Sequence, residues 1–220
     1  MKKNITEELT VDMNEPELRV LSDDWEYFIS TRVNNICHWK FNSFVHYGQD
    51  CDYFIETGTH LGDALGYANL IGFEKLLSVE LNSTRQAETI ERYKKYDHIE
   101  LYTGMSMRYI DKMLSSVPKD KKALVSLDAH AEGGGAPALQ ELDVISEYST
   151  THTILVEDIP IYYDAEAVKS KLLEINPDYN IELWGIIPEF HPVGTIIVPD
   201  EIHLSMNGNQ HNYTIVAYVE

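Results

Sequence analysis

Apolar residues first fall into a helical rhythm. Trp25, Phe28, Ile29, Val33, Ile36, Cys37 and Phe41 recur at spacings of three and four, which predicts one or two helices before the main fold. The preceding 22 residues are polar and acidic, with Pro16, and carry no such pattern. From residue 50 the pattern changes to short apolar runs alternating with amphipathic stretches. Tyr53–Ile55, Lys75–Leu81, Ile99–Tyr102, Ala123–Leu127 and Thr153–Val156 read as strands. Asp63–Ile71, Ser83–Tyr96, Ser106–Ser116, Pro137–Tyr148 and Ala165–Ile175 read as the helices between and after them. Pro137 stands at a helix start, where its missing N–H costs nothing.

Five strand–helix pairs in succession require a parallel sheet, because each connection must cross back over it. The near-continuous apolar runs suit strands covered on both faces. Beyond Pro177 the alternation stops. Ile181–Ile187, Thr195–Val198 and Tyr213–Val219 read as strands without helices between them, so antiparallel pairing is expected there. Residues 200–212 read as a loop with turn chemistry at Asn207-Gly208-Asn209. The fold class expected is therefore α/β, a three-layer Rossmann-like sheet, mostly parallel with a C-terminal antiparallel hairpin. Residues 1–47 form an N-terminal helical extension, and 48–220 form one domain.

Composition narrows the function. Thirty-six acids against seventeen Lys and Arg give a net charge of −19, which repels a phosphate backbone and argues against nucleic acid as a partner. The densest basic run, Lys119-Asp120-Lys121-Lys122, falls between elements and reads as a solvated loop. Cys37 and Cys51 make neither a disulfide framework nor a zinc ligand set. No stretch approaches the roughly 18 apolar residues of a membrane span, and the N-terminus lacks the apolar core of a signal peptide. A cytoplasmic protein with no membrane partner is expected; the sequence is silent on oligomeric state.

Ligands of open α/β sheets sit outside the carboxyl ends of the strands. The strand ends here carry Glu56, Glu80, Asp128 and the Glu157-Asp158 pair, while the strand interiors carry almost no acids. Acids also gather at strand ends simply because strands end at the surface. The first turn adds Gly58, which permits a tight bend and a close backbone approach, and Gly62, which lets a helix start beside it. Glu80 follows Gly58 at about the distance where an acid meets a ribose hydroxyl in dinucleotide folds. Glu56, ahead of the glycines, would repel a pyrophosphate, which argues against a nicotinamide dinucleotide.

The stretch Glu56-Thr57-Gly58-Thr59-His60-Leu61-Gly62 resembles motif I of class I S-adenosylmethionine-dependent methyltransferases. The strand ends around Glu80, Gly104-Met105-Ser106, Asp128-Ala129-His130 and Glu157-Asp158 are similar to that superfamily's second to fifth motifs. The combination resembles a poorly characterised group of it, distantly similar to macrocin-type and catechol-type O-methyltransferases. The resemblance implies S-adenosylmethionine as cofactor, held by Glu56, Gly58, Thr59, Gly62, Glu80, Met105, Ser106 and Asp128. It implies O-methylation of a small-molecule or glycan acceptor, with Asp128 and His130 catalytic. It also implies Mg²⁺ or another divalent cation on Asp128, Glu157 and Asp158.

Two positions depart from the pattern. The middle glycine of the fuller motif is His60, whose side chain would narrow the turn. The lysine that serves the catechol type as base is Ala131, so His130 is the candidate replacement, an imidazole being a common general base. Gly133-Gly134-Gly135 reads as a mobile segment at the pocket mouth, and His191, His203 and His211 as candidates to line an acceptor pocket. A metal-dependent hydroxylase or hydrolase, or a binding protein that keeps the fold without the chemistry, would fit the same strand pattern.

Overall fold

The computed structural model describes residues 36–130, 135–148, 151–159, 161–185, 196–197 and 213–219. Expectations for residues 1–35, Gly133-Gly134, His191, His203, His211 and the 200–212 loop lie outside the described residues. The elements run α1 (Ile36–Tyr47), β1 (Tyr53–Thr57), α2 (Asp63–Ile71), β2 (Lys75–Glu80), α3 (Ser83–Tyr93), β3 (Ile99–Thr103), α4 (Ser106–Ser115), β4 (Ala123–Leu127), α5 (Ala138–Ile145), β5 (Thr153–Ile159), α6 (Ala165–Ile175), β6 (Asn180–Gly185), β7 (Ile196–Ile197) and β8 (Tyr213–Tyr218). They form one eight-stranded sheet in the order β3-β2-β1-β4-β5-β8-β6-β7.

The first five strands pair in parallel. Ile55 lies opposite Leu77 on one side and Val125 on the other. The order reverses at β1, the first strand laid down and the middle of the parallel set. β8 runs antiparallel to both β5 and β6. This is the reversed C-terminal hairpin that the pattern after Pro177 predicts.

Alternation along the strands divides the core between two faces. Ile55, Leu77, Val125, Ile154 and Ile215 face α4, α5 and α6, where Met113, Leu142 and Leu172 complete the packing. Their neighbours Phe54, Leu76, Leu124, Leu155 and Val216 face the other way, against Leu65 and Ala68 of α2, Tyr93 of α3, and Phe44 and Tyr47 of α1. Apolar residues on both faces of one strand explain why the strands read as continuous apolar runs. The helix α1 is thus part of the core wall.

Several boundaries differ from the sequence reading: β1 runs to Thr57 rather than Ile55, and α3 ends at Tyr93 rather than Tyr96. The fifth helix ends at Ile145 rather than Tyr148, with Pro137 as its cap residue. The fifth strand continues past Val156 to Ile159, through a register shift against β8 between those residues. Glu157 and Asp158 therefore lie within an irregular strand end, and Asp158 has φ 59°. Cys51 is buried, and its thiol donates to the Tyr47 carbonyl. No described helix is long and apolar enough to cross a membrane.

Candidate cofactor and active site

The turn after β1 stays bonded to β2: the amides of Gly58 and Thr59 both donate to the Val79 carbonyl (2.9 and 3.2 Å). The chain then takes three left-handed residues in five, Gly58 (φ 86°), His60 (φ 50°) and Gly62 (φ 79°). Gly58 has no room for a side chain, since a Cβ there would stand 2.5 Å from the Asp128 carbonyl oxygen. A Cβ on Gly62 would stand 2.9 Å from both Thr89 and Tyr93 of α3. Both glycines are thus demanded by close contact of the chain with itself. His60 is exposed, and its backbone amide donates to Glu80 Oε2 (2.8 Å).

Glu80 ends β2 and is 7% exposed. Its second oxygen, Oε1, accepts from the amide of Asn82 (2.8 Å). Each carboxylate oxygen keeps a further acceptor site. The carboxylate is therefore fixed in orientation while its remaining acceptor capacity faces a cavity of about 390 Å³. That volume lies in the range of small-molecule sites, about 300–1,000 Å³. Gly58, Glu80, Met105, Ser106 and His130 line it. Its apolar walls include Leu81 and Met105, both unusually exposed for their type (59% and 45%).

Beside the cavity lies a buried acid cluster. Glu56 is 1% exposed and accepts from Ser78 Oγ (2.7 Å), which in turn shares a 2.6 Å hydrogen bond with Thr59 Oγ1. Burial pushes the Glu56 carboxyl up to about 8, against the opposing pull of Lys40 and Ser78. Lys40, from α1, places its ammonium 2.7 Å from Asp128 Oδ2 and 2.7 Å from Glu157 Oε2. Burial works to lower the Lys40 pKa, but the charges of Asp128, Glu157 and Glu56 outweigh it and hold the ammonium well above its usual range. The other oxygen of Glu157, Oε1, accepts from Ser126 Oγ (2.6 Å). Burial pushes Glu157 up to about 7.

The predicted site residues thus divide into two groups. Gly58, Glu80, Met105 and Ser106 meet at the cavity, joined by His130. Glu56, Thr59 and Gly62 lie behind it and do not line it. Asp128 is held by Lys40 just short of the cavity wall that Ala129 and His130 form. Lys40 escaped the sequence reading because a single lysine on an amphipathic helix ordinarily marks its solvated face. Ser78 and Ser126 escaped because a serine inside an apolar strand carries no signal of the acid it will meet.

His130 is itself a wall of the cavity. Its ring stacks on Tyr162 with centroids 5.0 Å apart, and Nε2 is 3.8 Å from Asp158 Oδ2. Burial, followed by the charge of Asp128, raises the Asp158 carboxyl. Ligand atoms of Asp128, His130 and Asp158 come within 4.8 Å of one another. The ligand set of the resemblance, Asp128, Glu157 and Asp158, does not fit a divalent ion as it stands. Both oxygens of Glu157 and one of Asp128 are engaged by Lys40 and Ser126. An ion placed there would meet a fixed ammonium.

The architecture has many solved counterparts. The O-methyltransferase TomG from Streptomyces achromogenes, solved in complex with SAM, superposes with a TM-score of 0.55 at 12% identity, over 94% of this chain and 91% of that one. This is the fold of the class I S-adenosylmethionine-dependent methyltransferases. The methyltransferase domain of a bacterial CtHen1 gives 0.54 at 14%, over 84% and 99% of the two chains. A precorrin-6y C5,15-methyltransferase from Geobacter metallireducens gives 0.50 at 13%, over 84% and 88%. At these identities the likeness is one of fold. No family model matches the sequence, and no curated protein matches it.

Proposed function

We propose that this chain is a methyltransferase that holds S-adenosylmethionine in the Glu80 cavity and methylates an oxygen of a small-molecule or glycan acceptor. The observation that carries this reading is Glu80 itself. It is a carboxylate at the second strand end, oriented by two backbone amides, with acceptor capacity left toward a cavity of cofactor size. A vicinal diol, such as a ribose offers, is a natural partner for such a carboxylate. Met105 and Ser106 provide a wall, part apolar and part polar, for a flat heterocycle. When bound, the cofactor supplies an activated methyl group on a sulfonium.

The chain's own contribution is positioning, with one proton to manage. His130 is the side chain suited to take the acceptor's proton: its ring is held against Tyr162, and Nε2 faces the Asp158 carboxylate, which leaves Nδ1 as the accepting nitrogen. The net charge of −19 favours acceptors without phosphate. A divalent ion does not enter this reading.

Calorimetry with S-adenosylmethionine and S-adenosylhomocysteine tests it. Binding of either in the micromolar range is expected, and Glu80→Gln should weaken it about tenfold, the worth of one charge-assisted hydrogen bond. Absence of binding by both, or an unchanged affinity in the variant, overturns the reading.

A further inference from the structure

The acid cluster behind the cavity raises a question that the cofactor does not answer. Two carboxyls, Asp128 after β4 and Glu157 of β5, meet at one point, and the charge of Glu56 of β1 acts on it as well. Convergent carboxyls at such a point are what a hard cation requires. The position is already taken. Lys40 reaches in from α1 and makes two 2.7 Å contacts, with Asp128 and Glu157, and its side chain is only 16% exposed. Ser126 completes Glu157 and Ser78 completes Glu56, so the carboxyls are arranged around the ammonium.

We propose that Lys40 is the resident cation of this site: its ammonium takes the place of a divalent ion at the ends of β4 and β5. The site is then specific for its own lysine and closed to metal while α1 is docked. Removing one partner of a buried ion pair leaves the other charge uncompensated, a far larger penalty than the pair is worth in itself. Deleting the ammonium while keeping the acids should therefore create cation affinity where there was none. The same deletion should strengthen the preference for a cationic ligand nearby. That second consequence rests on the cofactor reading above; the first does not.

The experiment is a Mn²⁺ titration, followed by electron paramagnetic resonance, of the wild-type chain, Lys40→Gln, Lys40→Arg and Lys40→Gln/Glu157→Gln. The wild type and Lys40→Arg should show no site that depends on Asp128. Lys40→Gln should bind Mn²⁺ at least about tenfold more tightly than either, and the double variant should lose most of that gain. A wild-type Mn²⁺ site that Asp128→Asn abolishes would overturn the proposal, and that measurement stands even where Lys40→Gln does not fold. A folded Lys40→Gln that gains no affinity would overturn it equally. In parallel, the ratio of S-adenosylmethionine to S-adenosylhomocysteine affinity should rise several-fold in Lys40→Gln. If the wild type binds neither nucleoside, the cofactor reading fails, while the Mn²⁺ series still decides the role of Lys40.

Discussion

Glu141 is the plainest case of a charge under constraint. It lies on α5, fully buried, accepting from Thr57 Oγ1 through Oε2, while Oε1 has no hydrogen-bond partner among the described residues. Burial pushes its carboxyl up to about 7, with Ser106 and Thr57 pulling the other way. The folded form therefore holds its proton where the unfolded chain releases it. Its stabilising contribution is complete below the unfolded value of 4.5 and is lost as pH rises through about 7. Denaturant melts at a series of pH values should show Glu141→Gln flattening that decline and gaining up to about 3 kcal/mol over the wild type at alkaline pH. An unaltered slope would mean that other carboxyls govern the transition. Single residues of the site were legible only where a strand end announced them. Glu80 and Asp128 stand at positions fixed by chain order. Lys40 is brought to the acids by tertiary docking of a helix nearly ninety residues earlier in sequence, which spacing cannot express. The turn glycines were legible as a tight bend, and both have positive φ; what spacing could not express is the second demand on them, that a Cβ on Gly58 would meet the Asp128 backbone and one on Gly62 would meet α3.

The strands were the most legible elements. Burial on both faces leaves nearly unbroken apolar runs, and the intervening amphipathic stretches have helical period. The misreading at β5 has a physical cause. Polar Glu157 and Asp158 look like a strand's end, yet the backbone bulges there and pairing resumes at Ile159. The role of α1 was only half legible. Its apolar rhythm predicts a helix, but its place in the core wall depends on Phe44, which is fully buried and packs on Phe54 with ring centroids 5.0 Å apart. Phe44→Ala should cost about 3–5 kcal/mol in denaturant unfolding. A loss below about 1 kcal/mol would mean that α1 is a detachable appendage rather than part of the core.

At the scale of the molecule, charge is the dominant feature. With 36 acids and 17 Lys and Arg, acids outnumber basic side chains about two to one, whatever surface pairs such as Lys75–Glu100 or Lys121–Glu74 contribute. Such exposed pairs are worth little, whereas self-repulsion acts on every surface acid. Raising ionic strength from about 0.01 M to about 0.3 M should therefore raise the thermal midpoint, as the screening length shrinks. A midpoint that falls with salt would show that the attractive pairs outweigh the repulsion.

The sheet order carries a consequence for how the molecule comes into being. β6 has no contact with β5 through the ladder; β8, made some thirty residues later, must slide between them. During synthesis the parallel half of the sheet can assemble from the strands in order, but β5 then waits with one edge unpaired, and β6 has nothing to dock on. An unpaired edge strand is a template for the wrong partner. The interval between the emergence of β5 and that of β8 is when a nascent chain of this protein is most exposed to misassembly.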